Sequence, residues 1–141
     1  MQALYFAYGS NLSRARMQQR VPSAEATGSA RLPGYRLTTD KAGRDGTGKV
    51  NLRVAADAAV WGVVWRIDFA EWPLLDAFER GYERIHVQPE GTASPAQTYL
   101  SQQLTEDPVL AVDYKHFLVE GAREQRLPAA WIEELEALPA R

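Results

Sequence analysis

The stretch "AVWGVVWRID", Ala59–Asp68, decides how this chain folds. Val60, Trp61, Val63, Val64, Trp65 and Ile67 all favour pleated backbone, and a near-continuous apolar run of this length reads as a strand buried on both faces. Gly62 interrupts it without a side chain, which marks a bulge or a close approach by another backbone. On its C-terminal side Asp68 can cap a helix with Glu71 three residues on, so "FAEWPLLDAFE" reads as a short helix whose start is confined by Pro73. On its N-terminal side "VNLRVA" reads as a further strand. "DKAGRDGTGK", Asp40–Lys49, carries three glycines and five charges and is expected to be an unpacked, mobile surface loop.

Outward from this centre the order is strands broken by a few helices. Ala3–Tyr8 is an aromatic-rich strand, residues 13–20 a short helix, and Ser23–Thr38 extended with a bend at Pro33-Gly34. "YERIHVQP" and "AQTYLSQ" are strands around the turn-rich "EGTASP". Asp107-Pro108 predicts a helix start, and the helix is expected to run to about Glu124 with Leu110, Tyr114, Phe117, Leu118 and Gly121 facing inward. Leu127-Pro128 opens a last helix marked by Trp131, Ile132, Leu135 and Leu138. Without regular β-α-β alternation this is an α+β chain: one domain over residues 1–141, a small mixed or antiparallel, barrel-like sheet of about six strands with helices around it.

Composition narrows the function. There is no cysteine, which excludes a disulfide framework, a thiol nucleophile and a thiolate metal site. The two histidines, His86 and His116, lie far apart in a strand and a helix and read as structural, so a Ser-His-Asp triad is poorly supported. Net charge is −2, with Lys and Arg dispersed among acids, which gives no footprint for nucleic acid. No run reaches membrane-spanning length and "MQALYFAYG" is too short for a signal peptide, so the expected location is cytoplasmic. Trp and Tyr suffice for a homodimer, yet nothing locates an interface; monomer and homodimer stay open.

Three stretches can carry chemistry. In "YFAYGSNL", Tyr5–Leu12, a strand ends at Gly9-Ser10-Asn11 and hands over to a helix. Such a turn can present bare N–H groups to an anion, or Ser10 and Asn11 can satisfy it themselves. In "LLDAFERGYER", Asp76 and Glu79 fall near a helix C-terminus, where the dipole and partial burial would raise a carboxyl pKa toward that of a useful base; either can equally be a surface acid paired with Arg80 or Arg84. Glu79, next to the Gly81 turn, is the better placed. In "DYKHFLVEGAREQRLP", Tyr114 reads as core with a hydroxyl seeking a partner, and Gly121 as a point of close packing.

Taken together and in this order, these stretches resemble the γ-glutamylcyclotransferase family. "YFAYGSNL" is similar to its N-terminal substrate loop, "VWGVVWRID" and "LLDAFE" to its central strand and the helix bearing its catalytic glutamate, and "YKHFLVEGAREQRLP" to its C-terminal helix. The resemblance implies cleavage of a γ-glutamyl compound, with the glutamyl part leaving as 5-oxoproline and with no metal or organic cofactor. It implies Glu79 as acid/base, Tyr5, Phe6, Ala7, Tyr8, Gly9 and Ser10 as the substrate-binding segment, and Tyr114 as a substrate contact. The chain departs from the family pattern at Arg80, where glycine is usual; Arg80 is expected to point to solvent. Alternatives are action on γ-glutamyl-amines, removal of a γ-glutamyl protecting group in biosynthesis, and a binding module of the same fold without turnover.

Overall fold

The computed structural model describes residues 1–141. Its strands are β1 (Gln2–Ala7), β2 (Glu25–Ala42), β3 (Gly48–Asp68), β4 (Glu83–Val87) and β5 (Ala96–Leu100), and its helices α1 (Arg14–Arg20), α2 (Trp72–Phe78), α3 (Val112–Glu124) and α4 (Ala129–Glu136). The strands form one sheet in the order β2-β3-β1-β5-β4. Pairing is antiparallel throughout, except where β1 runs parallel to β5. The architecture is α+β, as expected.

The strand count is five because the two segments "VNLRVA" and "AVWGVVWRI" are one strand. β3 continues unbroken for 21 residues and pairs with an 18-residue β2. Three register shifts, at Ala26/Gly28, Pro33/Tyr35 and Thr38/Lys41, let so long a hairpin bend around the core. The charged stretch between them is correspondingly not a loop that fails to pack. β2 reaches Ala42, Lys41 is buried, and only residues 43–47 make the connection. Backbone pairing with β3 and a bridge from Lys41 to Leu104 supply the order that composition hides.

The centre of the sheet is β1 against β3, paired from Gln2–Asp68 to Ala7–Val63. Phe6, Ala7, Val60, Val63, Trp65 and Ile67 are completely buried there. At Gly62 a Cβ would lie 2.3 Å from the Ala7 carbonyl oxygen and 2.7 Å from the Phe6 ring, so the second reading of that glycine, close backbone approach, holds. Gly121 does the same for α3. Its Cβ would sit 2.8 Å from Leu12 Cβ and from Ser13 N, so α3 lies directly on the turn after β1.

Two helix expectations are corrected. α3 begins at Val112, not at Asp107-Pro108. Leu110 is fully buried and its backbone bridges Gly48 and Ala140, which requires extended geometry, while the Asp107 carboxylate pairs with Arg141 instead of capping. Phe117 faces outward, 38% exposed beneath the Arg16 guanidinium, because the face that packs on the core is Leu118, Val119, Gly121 and Ala122.

Candidate active site

β1 ends at Ala7, and its continuation does not feed a helix directly. Ser10–Leu12 form a short 3-10 turn, and α1 starts only after Ser13, whose hydroxyl accepts from the Arg16 N–H and caps it. Neither Ser10 nor Asn11 caps that helix. The Tyr8 and Gly9 N–H groups find no acceptor within the protein, so the unpaired amides begin one residue before the Gly9-Ser10-Asn11 turn read from sequence and have no helix dipole behind them.

Asn11 turns inward and organises the site. Its Nδ2 donates to Glu79 Oε1 at 2.7 Å and to the Tyr5 hydroxyl at 3.0 Å. Its Oδ1 accepts from Arg20 Nη1 at 3.1 Å, and its carbonyl accepts from Trp65 Nε1 at 3.0 Å. An amide that is 2% exposed and bonded through donor, acceptor and main chain is held in one orientation. Tryptophan 65 thus links the central strand to the turn that carries the polar groups.

Glu79 occupies the position that closes α2, with its N–H on the Leu75 and Asp76 carbonyls. Gly81, at φ +83°, then turns the chain into β4. The Glu79 side chain is 15% exposed, and besides Asn11 it meets Arg20 Nη1 at 3.6 Å. Oε2 has no protein partner. Burial raises the Glu79 pKa above the usual glutamate value, and Arg20, the Asn11 hydrogen bond, Arg16 and Lys41 pull against that rise. Asp76, three residues earlier, does not share its surroundings. It accepts from the Tyr99 hydroxyl at 2.7 Å and pairs with Arg84 at 3.0 Å on a half-exposed face.

A recess of about 30 Å³ lies between these groups, walled by Tyr5, Tyr8, Gly9, Asn11, Glu79 and Tyr99, with Ser10, Val50, Tyr82 and Tyr114 completing it. It adjoins a wider basin of about 580 Å³, and Ser10, Glu79, Tyr82 and Tyr114 border both. Of the eight residues expected at the site, Tyr5, Tyr8, Gly9, Ser10, Glu79 and Tyr114 therefore converge. Phe6 and Ala7 do not: both are completely buried in the sheet core and give the recess no surface.

The tyrosines are donors and walls, not bases. Burial raises the pKa of Tyr5, Tyr8, Tyr82, Tyr99 and Tyr114, and the Glu79 carboxylate adds to the rise in each. Tyr8 donates to the Tyr99 carbonyl at 2.6 Å and Tyr82 to the Val50 carbonyl at 2.7 Å, which fixes their rings. Tyr5 and Tyr114 accept, from Asn11 and the Val50 N–H, and keep a hydroxyl hydrogen for another acceptor. Glu79 is the one carboxyl on the recess wall. The groups on the recess wall, one carboxyl and several tyrosine hydroxyls, offer proton transfer and hydrogen bonding.

Arg80 is exposed, as expected of it, and the cation beside Glu79 is Arg20. Removing that cation removes a stabiliser of the carboxylate, so Arg20→Gln is expected to raise the Glu79 pKa further. Whatever reaction needs the ionised form should then show its acidic limb displaced to higher pH. The pH profile of turnover checks this; an unmoved limb, or one moved to lower pH, contradicts it.

The chain is similar to known proteins over most of its length. The family model described as "Gamma-glutamyl cyclotransferase, AIG2-like" matches residues 5–118. The chain is 32% identical to a mouse protein named gamma-glutamylcyclotransferase over 96% of this chain and 78% of that one. For the human protein of that name the identity is 31% over the same shares. A solved structure titled gamma-glutamyl cyclotransferase superimposes with a TM-score of 0.91 at 29% identity, covering 100% of this chain and 90% of that one. No helix here is long and apolar enough to cross a membrane.

Proposed function

The chain belongs to the γ-glutamyl cyclotransferase, AIG2-like family, and on that premise we propose that it releases an amino acid from a γ-glutamyl-amino acid as the glutamyl group closes to 5-oxoproline. The new bond joins the substrate's α-nitrogen to its own γ-carbonyl carbon, and the bond that breaks joins that carbon to the leaving nitrogen. The α-ammonium gives up two protons over the reaction and the leaving nitrogen gains two. Glu79 carries them, as base and then as acid, from its unpaired Oε2.

The observation that carries this reading is a single, buried carboxyl on a recess that Tyr8 and Gly9, whose N–H groups have no acceptor in the protein, also line. A raised pKa suits a group that must both take and return a proton near neutrality, worth about 10²–10⁴-fold in rate. The reaction needs no protein nucleophile, in keeping with a chain without cysteine. Folding the glutamyl chain so that amine and carbonyl meet lowers the entropic part of the barrier, and oriented intramolecular reactions gain up to roughly 7–11 kcal/mol. In this scheme the Tyr8 and Gly9 N–H groups bind the α-carboxylate or the developing oxyanion, and the Tyr5 and Tyr114 hydroxyls donate to the same ligand.

The test is release of 5-oxoproline from γ-glutamyl-alanine. Turnover supports the reading. No turnover across a panel of γ-glutamyl-amino acids, γ-glutamyl-amines and γ-glutamyl-protected intermediates would leave a ligand-binding module of the same fold.

A further inference from the structure

The basin outside the recess is not neutral. Arg16, Arg20, Lys41, Arg44, Lys49 and Arg80 stand around it, against only two carboxylates, Asp45 and Glu79. Arg20 is spent on Glu79 and Lys49 on Asp45. Arg16, Lys41, Arg44 and Arg80 form no ion pair with any acid of the chain. This concentration is local, since the chain as a whole carries a net charge of −2.

Two of the unpaired cations are partly covered by the protein as well. Lys41 is 8% exposed, and its Nζ, 5.0 Å from the centre of the Tyr82 ring, has no hydrogen-bond acceptor in the protein. Arg16 Nε is fully covered and also lacks a partner. Buried cations are ordinarily paired, because the loss of hydration is costly without a compensating anion. An anion entering from outside the chain meets this excess of positive charge. Glu79 acts on Lys41 and Arg16 but is already paired with Arg20, and Asp45 is held by Thr47 and Lys49, so the cations of the basin outnumber the carboxylates that face them.

We propose that the basin is a subsite for a leaving amino acid that carries a second carboxylate, so that the preferred substrates are γ-glutamyl dipeptides ending in glutamate or aspartate. This rests on the cyclotransferase reading and extends it to the leaving group. With the glutamyl part against Tyr5, Tyr8 and Gly9, the scissile bond lies at Glu79, where recess and basin meet. The leaving group then extends among the cations. A leaving α-carboxylate engages one or two of them, and a side-chain carboxylate reaches the remainder around Lys41, Arg44 and Arg16. A leaving group with its own positive charge, such as a lysine joined through its ε-nitrogen, meets repulsion there.

The experiment compares kcat/KM for γ-glutamyl-glutamate with that for its neutral isostere γ-glutamyl-glutamine, read as 5-oxoproline, at low and high salt. The wild type should favour the glutamate peptide by about tenfold at low salt, with the preference shrinking as salt screens the basin. In Lys41→Gln that ratio should fall by about threefold or more, and in Arg44→Gln, an exposed change that does not endanger the fold, it should fall by a smaller factor. A wild-type ratio at or below unity overturns the inference, as does a ratio that neither substitution lowers. Release of 5-oxoproline from both peptides at equal rates, or from γ-glutamyl-alanine but from neither of these two, sinks the subsite alone; no release from any member of the γ-glutamyl panel sinks the cyclotransferase reading and the subsite with it.

Discussion

Replacing Glu79 by glutamine is expected to lower the rate of 5-oxoproline release by about 10²–10⁴-fold while leaving the protein folded. Gln keeps the volume and an oxygen able to accept the Asn11 bond that Glu79 Oε1 takes at 2.7 Å, so the network around the turn survives. What it removes is the exchangeable proton. Stability should move in the opposite direction from activity. Burial raises the folded-state pKa of Glu79, so the folded protein holds that proton more tightly than the unfolded chain does. The group therefore contributes stability that is complete below the ordinary glutamate pKa and is lost as pH rises through the raised folded value. At neutral pH the wild type already bears that loss and the variant does not. Thermal unfolding at pH 7 should give Glu79→Gln a Tm equal to or above that of the wild type. Activity retained within a few-fold would remove Glu79 from the mechanism, and a large fall in Tm would mean its role is structural.

Asn11→Leu should be the most damaging change near the site that touches no reacting atom. Leucine matches asparagine in size, yet the Tyr5 hydroxyl and Glu79 each lose a hydrogen bond and Arg20 loses an acceptor, all in one turn. Leaving buried polar groups unmatched costs about 1–3 kcal/mol, and more where one of them is charged, so a loss of about 3 kcal/mol in unfolding free energy is expected. Turnover should fall by about tenfold or more because Glu79 is no longer held in place, and the acidic limb of the pH profile should move upward because the Asn11 bond favours the carboxylate. Denaturant unfolding together with the pH profile separates these effects. A variant that loses stability but keeps both rate and profile would show that Asn11 braces the turn without orienting Glu79.

That Asn11 is the organiser could not have been read from the chain. In sequence it is one of three small residues in a turn, where an asparagine usually serves its own backbone. Its side chain finds Glu79, 68 positions away, only because Gly121 lets α3 press on the turn and Trp65 anchors the Asn11 carbonyl. Arg20 was equally hidden, as one of several arginines on a short helix, whereas the conspicuous neighbour Arg80 lies outside. By contrast, β1, β3 and the helix before Glu79 were legible because their signals are local: unbroken strand formers, a capping aspartate, a proline in the first turn. The Asp107-Pro108 start was a local signal of the same kind. It was overridden because Leu110 is needed in the core and its backbone is needed by Gly48 and Ala140. The length of β2 and β3 escaped for a related reason, since glycines and charges in 40–49 argue for a loop and only cross-strand pairing makes them a hairpin.

A crystal structure of this chain with 5-oxoproline bound would decide the matter. The ring should lie between Tyr5, Tyr8 and Glu79, its nitrogen toward the free glutamate oxygen and its carboxylate on the amides that follow the first strand. A product molecule seated elsewhere, or a recess that stays closed by the protein's own side chains at saturating ligand, would mean that this carboxyl and these amides do not serve one reaction.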